Sequence, residues 1–306
     1  MKVRVCMSAG AYARVLVHQV EVDAIVRGEH PVTGDWVRAR WIEPGRMLIE
    51  EIDPRRSKIA RRAAGRAGQE QVLAANVDLA FIVCGLDGDF NPRRIERYLA
   101  MAFDGGVQPV VVLNKADACP DVETLRAQVR AAEVLVVSAT TGAGFDTVIA
   151  KLTPDVTAVL LGSSGAGKST MLNRLIEGDR QRTGPVRESD SRGRHTTTSR
   201  ELIFLPSGAA VIDSPGLREI QLAASDDALD AVFDEITDLA TQCRFGDCTH
   251  TSEPGCAVRG AVPEERLESL HKLQREAVRL SGERTEKQRW RAIHKSVKQF
   301  YKERGR

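Results

Sequence analysis

A glycine-rich loop between an apolar run and a helical pattern limits what this chain can fold into more than any other stretch. The loop spans Gly162–Thr170 and reads GSSGAGKST. Thr157–Leu161 precede it as a buried strand would, and Met171–Ile176 follow it with helical spacing. Backbone N–H groups at such a turn, with a helix N-terminus behind them, form a cradle for phosphate groups. The stretch predicts a phosphate-binding loop in an α/β domain; a Gly/Ser turn without a ligand is the alternative.

The residue types in this loop have distinct expected roles. Lys168 is placed to reach the β- and γ-phosphate oxygens, and the Ser169 hydroxyl is placed to bind Mg²⁺. The remaining candidates for phosphate contact are Gly162, Ser163, Ser164, Gly165, Ala166, Gly167 and Thr170.

Two further motifs follow apolar runs in the same α/β pattern. Asn114-Lys115-Ala116-Asp117 comes after Pro109–Leu113, and Ser138-Ala139-Thr140 comes after Val134–Val137. A carboxylate such as that of Asp117 can accept hydrogen bonds from N1–H and the amine of guanine, a donor pair that adenine lacks. A backbone N–H of the second motif can reach guanine O6. We therefore predict that Asn114, Lys115, Asp117, Ser138 and Ala139 bind guanine; an ATP-using enzyme is the alternative.

A D-x-x-G pattern follows a later apolar run, Ala209–Ile212. In it, Asp213 is expected to hold the water shell of Mg²⁺, and the Gly216 N–H is expected to sense the γ-phosphate. Upstream, Thr196 and Thr197 are candidates to close a switch loop, with Thr197 completing the metal shell. The alternative for these threonines is simply the start of a strand over 200–205.

These motifs occur in an unusual order. GTPases ordinarily run from the phosphate loop through the switch threonine and D-x-x-G to N-K-x-D and S-A-x, whereas here the last two come first. The order predicts a circularly permuted GTPase domain at 73–222. Its D-x-x-G switch is then joined directly to the segment after residue 222, so the nucleotide state can act on that segment.

Three cysteines and a histidine cluster near the C-terminal end of the chain. Cys243, Cys248, His250 and Cys256 lie within fourteen residues that include a Pro-Gly turn. Three thiolates and an imidazole suit tetrahedral Zn²⁺ with no open position, so the predicted site is structural. Buried cysteines and an unrelated histidine are the alternative. The segment 223–306 is predicted to be a helical zinc domain.

The N-terminal segment reads as short strands separated by turn signals. Five strands within about fifty residues fit a small barrel of the oligonucleotide-binding (OB) type, so 1–72 is predicted to be a barrel followed by a basic linker or mobile loop at 53–68. Tyr12, Trp36 and Trp41 are candidates to stack on bases, although an aromatic residue in a small barrel is more often part of the core.

Charge is distributed unevenly along the chain. Residues 1–72 carry 13 basic and 9 acidic side chains, residues 271–306 carry 12 and 4, and the middle is acidic, although the whole chain has a net charge of +2. Basic ends favour contact with a polyanion, and the predicted helix Thr285–Tyr301 is a candidate; a solvated surface is the alternative. No apolar run of membrane-spanning length and no targeting segment is evident, which predicts a cytoplasmic protein.

Together the barrel, the permuted motifs and the Cys/His loop make the sequence similar to the ribosome small-subunit-dependent GTPase A family. The resemblance covers most of the chain and is weakest before residue 30. It implies an OB barrel, a permuted GTPase domain and a zinc-containing helical domain. It also implies hydrolysis of GTP to GDP, stimulated by the small ribosomal subunit during its late maturation, with 16S rRNA as a contact and no membrane. Nothing in the sequence demands more than a monomer.

The resemblance also bears on catalysis. Leu217 follows the D-x-x-G glycine where many GTPases carry a water-orienting glutamine, so intrinsic hydrolysis is expected to be slow. His195, beside the switch threonines, is our candidate for positioning the attacking water, with Lys168, Thr196, Thr197, Asp213 and Gly216 as the other catalytic candidates. A solvent-facing loop residue is the alternative for His195. A nucleotide-gated RNA-binding scaffold with incidental hydrolysis is the alternative for the whole chain.

Overall fold

The computed structural model describes residues 1–18, 20–62, 70–183, 200–205, 207–213 and 224–279. Two compact units make up the chain: Met1–Ala60 with Val72–Glu219, and Arg61–Gln71 with Ile220–Arg306. The three-domain division at residues 72 and 222 stays a prediction. None of the helices within the described ranges combines the length and the apolar character needed to cross a bilayer.

The first unit begins with a five-stranded barrel. Strands β1 and β2 form an antiparallel pair, β3 pairs with β2, and β3 lies parallel to β5. Strand β4 pairs with both β5 and β1, which closes the barrel in the strand order expected of an OB fold. Valines and alanines that alternate along the strands fill its core. The strands are β1 (Lys2–Ala9), β2 (Tyr12–Val17), β3 (Val20–Val26), β4 (Trp36–Glu43) and β5 (Arg46–Ile52).

The basic segment after the barrel differs from the prediction of a linker at 53–68. Strand β6 (Lys58–Arg62) and strand β7 (Glu70–Ala75) form a two-stranded sheet. Ile59 is fully buried in a segment rich in lysine and arginine, and one apolar residue in such a segment gives no strand pattern. The prediction was wrong for Lys58–Arg62; residues 63–68 lie outside the described part.

A parallel sheet with the order β10-β9-β8-β11-β13 follows, and strand β12 pairs antiparallel with β13. This arrangement confirms the predicted doubly wound α/β fold. The strands are buried almost throughout, as expected for a sheet covered by helices. Their bounds are β8 (Leu79–Gly85), β9 (Gln108–Asn114), β10 (Glu133–Val136), β11 (Thr157–Leu161), β12 (Glu201–Phe204) and β13 (Ala210–Asp213).

Within the described residues, four helices belong to this sheet: α1 (Pro92–Asp104), α2 (Val122–Arg126), α3 (Phe145–Lys151) and α4 (Lys168–Thr183). Asn91 caps α1 by accepting the Arg94 N–H, and α1 packs against β8 and β9. Buried side chains of α3 and α4 join the core on the sheet. Helix α2 ends at Arg126, because the chain leaves it through turns and reaches Ala131 with a φ of 63°.

Strand β1 also pairs with β12, so the barrel and the parallel sheet form one eleven-stranded sheet. A buried polar cluster lies beside this joint, and we call it the junction network: Arg4, Asp35, Arg55, Asn76 and Thr157. Arg55 forms a bidentate ion pair with the fully buried Asp35 at 2.7 and 2.8 Å. Arg4 donates to the Thr157 hydroxyl and to the Asn76 carbonyl, and the Asn76 amide donates to the Gly34 carbonyl.

In the second unit, helices α5 (Asp226–Val232), α6 (Asp234–Ala240) and α7 (residues 264–279) enclose a small apolar core that includes Phe233, Ile236 and Leu273. The Arg266 guanidinium lies 4.5 Å from the centre of the Phe233 ring and forms an ion pair with Glu235 at 2.5 Å. The Cys/His loop connects α6 to α7. The predicted helix Thr285–Tyr301 lies outside the described residues.

Candidate nucleotide and metal sites

The predicted nucleotide motifs lie at the carboxyl ends of neighbouring strands of the parallel sheet. The phosphate loop follows β11, the Asn114 motif ends β9, Ser138 follows β10, and Asp213 ends β13. Ligands of open α/β sheets bind at this edge. The chain therefore brings motifs that are far apart in sequence to one edge of the sheet.

Two glycines of the phosphate loop occupy positions where a side chain has no room. Gly162 has a φ of 145°, and a Cβ there would lie 2.3 Å from the Val83 carbonyl oxygen. Gly167 has a φ of 97°, and a Cβ there would lie 2.2 Å from Asn114 Nδ2. Only glycine allows this backbone to press against β8 and the Asn114 side chain. The two glycines therefore fix how closely the loop lies against β8 and the end of β9.

Lys168 is the first residue of α4 and is buried. Its Nζ donates to the carbonyls of Gly162 at 2.9 Å and Ser163 at 2.7 Å. Burial lowers the pKa of this amine, while the nearby carboxylates of Asp213 and Asp89 oppose that shift. The ammonium group therefore lies inside the loop, where a phosphate oxygen is the acceptor that best offsets its desolvation.

The side chain of Asn114 connects three strand ends. Its Nδ2 donates to the carbonyl of Ala166 in the phosphate loop at 3.0 Å, and its Oδ1 accepts the Ala139 N–H at 2.9 Å. Because Asn114 is buried, both hydrogen bonds are shielded from water. The phosphate loop and the Ser138–Thr140 loop are thereby held in a fixed relation to β9.

The other two predicted guanine contacts differ in exposure. Lys115 has a left-handed backbone with a φ of 64°, and its Nζ forms an ion pair with Asp87 at 2.5 Å. Asp117 lies in a short 3-10 turn at Ala116–Ala118, where its carboxylate is exposed. A carboxylate at this rim is accessible to an incoming base.

Two residues that the sequence analysis missed also contact the predicted loops. Asp89 accepts the Ser163 hydroxyl at 2.5 Å and pairs with Arg94 of α1, which ties the phosphate loop to α1. Arg174 of α4 donates to the carbonyls of Ala139 and Thr140. Neither residue belongs to a motif, so the sequence carried no signal for them beyond their position after a strand or within the helix.

The predicted metal-binding and switch residues are only partly described. Ser169 and Thr170 are exposed in the first turn of α4, and Asp213 ends β13 beside the phosphate loop strand. His195, Thr196, Thr197 and Gly216 lie outside the described residues.

In the second unit, the four predicted metal ligands come together. One ligand atom from each of Cys243, Cys248, His250 and Cys256 lies within 4.8 Å of all the others. His250 Nδ1 is 3.7 Å from the Cys243 sulfur and 3.5 Å from the Cys256 sulfur. This spacing and donor set fit one tetrahedral metal ion.

Backbone and side-chain hydrogen bonds support the cluster of three cysteines and one histidine. The N–H groups of Ala257 and Arg259 donate to the sulfurs of Cys243 and Cys256. Such N–H···S bonds stabilise negative charge on thiolates. Glu253 accepts the hydroxyl and N–H of Thr249 and the N–H groups of Thr251 and Ser252, and these bonds hold the pKa of its carboxyl well below the usual range. Hydrogen bonds within the loop therefore stabilise the backbone that carries the four residues.

Comparison with known proteins agrees with this geometry. A model of the RsgA GTPase family matches residues 52–223. A protein of Opitutus terrae named small ribosomal subunit biogenesis GTPase RsgA is 48% identical over 298 residues, which cover 89% of this chain and 81% of the relative.

Two solved structures share the fold. The crystal structure of YjeQ from Thermotoga maritima has a TM-score of 0.67 at 24% identity and covers 91% of this chain and 99% of its own. The crystal structure of YloQ, titled a circularly permuted GTPase, has a TM-score of 0.64 at 22% identity. The match covers 90% of this chain and 94% of YloQ. With the permuted order of strands and motifs in the structure, these matches lead to one conclusion: the chain belongs to the RsgA GTPase family and is a GTP-hydrolysing enzyme with a circularly permuted fold.

Proposed function

We propose that this enzyme acts on the small ribosomal subunit during its late maturation, and that the subunit stimulates its hydrolysis of GTP to GDP. The names of its close relatives, small ribosomal subunit biogenesis GTPase, carry this proposal. Exposed Tyr12 and Trp41 on the barrel, and the basic ends of the chain, are compatible with contact to 16S rRNA. We further propose that the protein works as a monomer in the cytoplasm.

The nucleotide site is assigned as follows. Gly162–Thr170 bind the phosphates, while Asn114, Lys115, Asp117, Ser138 and Ala139 form the guanine site. Mg²⁺ would be held by Ser169 and Thr197, and Asp213 would hold its water shell. The single observation that supports this assignment best is the buried Asn114 amide, which bonds to both the phosphate loop and the Ala139 N–H.

The cluster of Cys243, Cys248, His250 and Cys256 is proposed to hold one structural Zn²⁺. Bound zinc would supply a cross-link that a small helical unit with a limited core needs for stability. With four protein ligands, no coordination position remains for a substrate, which separates this site from the hydrolytic reaction.

The proposal is tested by binding to purified small ribosomal subunits at one fixed salt concentration. We expect the chain to co-sediment with the subunits in the presence of a non-hydrolysable GTP analogue and to be released with GDP. Large ribosomal subunits serve as the control and should retain little protein. Equal retention on both subunits in either nucleotide state would contradict the proposed role.

A further inference from the structure

Arg174 lies on α4, the helix that begins at the phosphate-loop lysine, and its guanidinium reaches the loop that follows β10. Its Nε donates to the Ala139 carbonyl at 2.6 Å, and its Nη2 donates to the Thr140 carbonyl at 2.8 Å. One side chain thus holds two consecutive peptide groups. These peptide groups belong to the loop that the proposed function assigns to guanine.

The loop is shaped to admit this guanidinium. Gly142 has a φ of 90°, and a Cβ at that position would lie 2.5 Å from Arg174 Nη1. The Phe145 ring lies on another side, with its centre 5.9 Å from the guanidinium carbon. The glycine therefore leaves room for the guanidinium, which forms its two hydrogen bonds at the partly buried edge of the loop.

Asn114 also holds the same loop through a second backbone group of Ala139. It accepts the Ala139 N–H, whereas Arg174 binds the Ala139 carbonyl. With both ends of this residue held, the plane of the peptide group between Ala139 and Thr140 has little freedom to rotate. The direction of the Thr140 N–H is set by that plane, because the amide group is flat.

We propose that Arg174 is a positioning residue for guanine recognition: it orients the loop amide that meets O6 and couples the base site to the phosphate loop through α4. This inference rests on the proposed assignment of the Ser138-Ala139 motif to the base, and it extends that assignment to the N–H of the next residue, Thr140. Lysine cannot replace the arginine fully, because a single ammonium lacks the planar fork that spans two carbonyls.

The test measures dissociation constants for GDP, inosine diphosphate and 6-thio-GDP with the wild-type chain and three variants. Inosine diphosphate keeps O6 but lacks the amine, and 6-thio-GDP has a weaker sulfur acceptor in place of O6. The variants are Arg174→Met, Arg174→Lys and, as a matched control, Arg126→Met on α2. The Arg126 guanidinium forms an exposed ion pair with Glu123 at 3.5 Å.

Arg174→Met should weaken binding of GDP and of inosine diphosphate about tenfold, equivalent to about 1.4 kcal/mol. Binding of 6-thio-GDP, which has little O6 contact to lose, should change much less, and Arg126→Met should leave all three constants unchanged. Arg174→Lys should fall between wild type and Arg174→Met, and it provides the answer if Arg174→Met does not fold.

Two results would overturn the inference. An equal loss of affinity for all three nucleotides in Arg174→Met would mean that Arg174 supports the fold without orienting the base-binding amide. Unchanged GDP affinity would mean that the loop needs no arginine. If the wild-type chain itself bound GDP and adenosine diphosphate equally, the guanine assignment would fail instead, which is a separate outcome from the behaviour of Arg174.

Discussion

Asn114 shows how one buried side chain can organise a ligand site. Its amide has a donor and an acceptor, and the fold uses the donor for Ala166 and the acceptor for Ala139. No other neutral side chain of this size offers both groups in one plane, and aspartate would present two acceptors where a donor is needed. The motif residue therefore stabilises the fold and shapes the site with the same two bonds.

Replacing Asn114 by Ala should lower the free energy of unfolding by about 2–6 kcal/mol, since a buried carbonyl and a buried N–H each lose a partner at about 1–3 kcal/mol. GDP affinity should fall at least about tenfold with it. Denaturant unfolding and nucleotide titration check these expectations. Asn91→Ala, which removes only the exposed cap of α1, should cost about 1 kcal/mol and leave GDP binding unchanged. Equal effects of the two substitutions would contradict the role of Asn114.

His195 is the residue proposed to position the attacking water. His195→Ala should reduce subunit-stimulated turnover by about 10²-fold or more, the usual contribution of a positioned acid–base group, and should leave GTP affinity unchanged. The measurement is steady-state phosphate release with saturating small subunits, alongside GTP titration. His30→Ala, which changes an exposed histidine of the barrel, is the matched control. Unaltered stimulated turnover would remove His195 from the mechanism.

At the scale of elements, the junction network places charged groups near the pairing of barrel strand β1 with β12. Arg55→Ala should destabilise the fold by about 3–5 kcal/mol, because it leaves the fully buried Asp35 carboxylate without its ion-pair partner. Arg40→Ala breaks the exposed pair with Glu50 and should cost less than about 1 kcal/mol. Urea unfolding of both variants compares the two pairs. Similar losses would mean that Asp35 does not depend on Arg55.

The Cys/His loop is an element whose order is expected to depend on its metal. The purified chain should contain about one zinc per molecule, and a chelator should lower its thermal midpoint, since structural zinc sites contribute folding energy. Cys248→Ser should lose the zinc, whereas Cys119→Ser, outside the cluster, should keep it. Metal analysis and thermal unfolding measure both effects. Full stability without zinc would contradict a structural role.

At the scale of the whole molecule, the sequence was sufficient where residue type and spacing determine the structure. The phosphate loop, the guanine motifs and the four metal ligands each carry a pattern that physical chemistry makes specific, and the structure brings the described ones together. Short strands between turn signals also predicted the barrel, and continuous apolar runs predicted strands of the parallel sheet.

What the sequence did not reveal depends on tertiary partners. Ile59 is one inward residue in a basic run, so β6 had no visible alternation. The pairing of β1 with β12 joins strands nearly two hundred residues apart, and no local pattern encodes it. Arg174 and Asp89 act through backbone and hydroxyl groups of other elements, so their roles follow only from their positions in the fold.

GTP turnover with and without purified small ribosomal subunits shows whether a ribosomal particle stimulates this GTPase. Both measurements use one fixed low salt concentration, because contacts to RNA phosphates weaken steeply as salt rises. We predict a rise of about tenfold or more, equivalent to about 1.4 kcal/mol off the barrier. Slow, unstimulated turnover under conditions where GTP demonstrably binds would contradict the account and favour a nucleotide-gated RNA-binding scaffold.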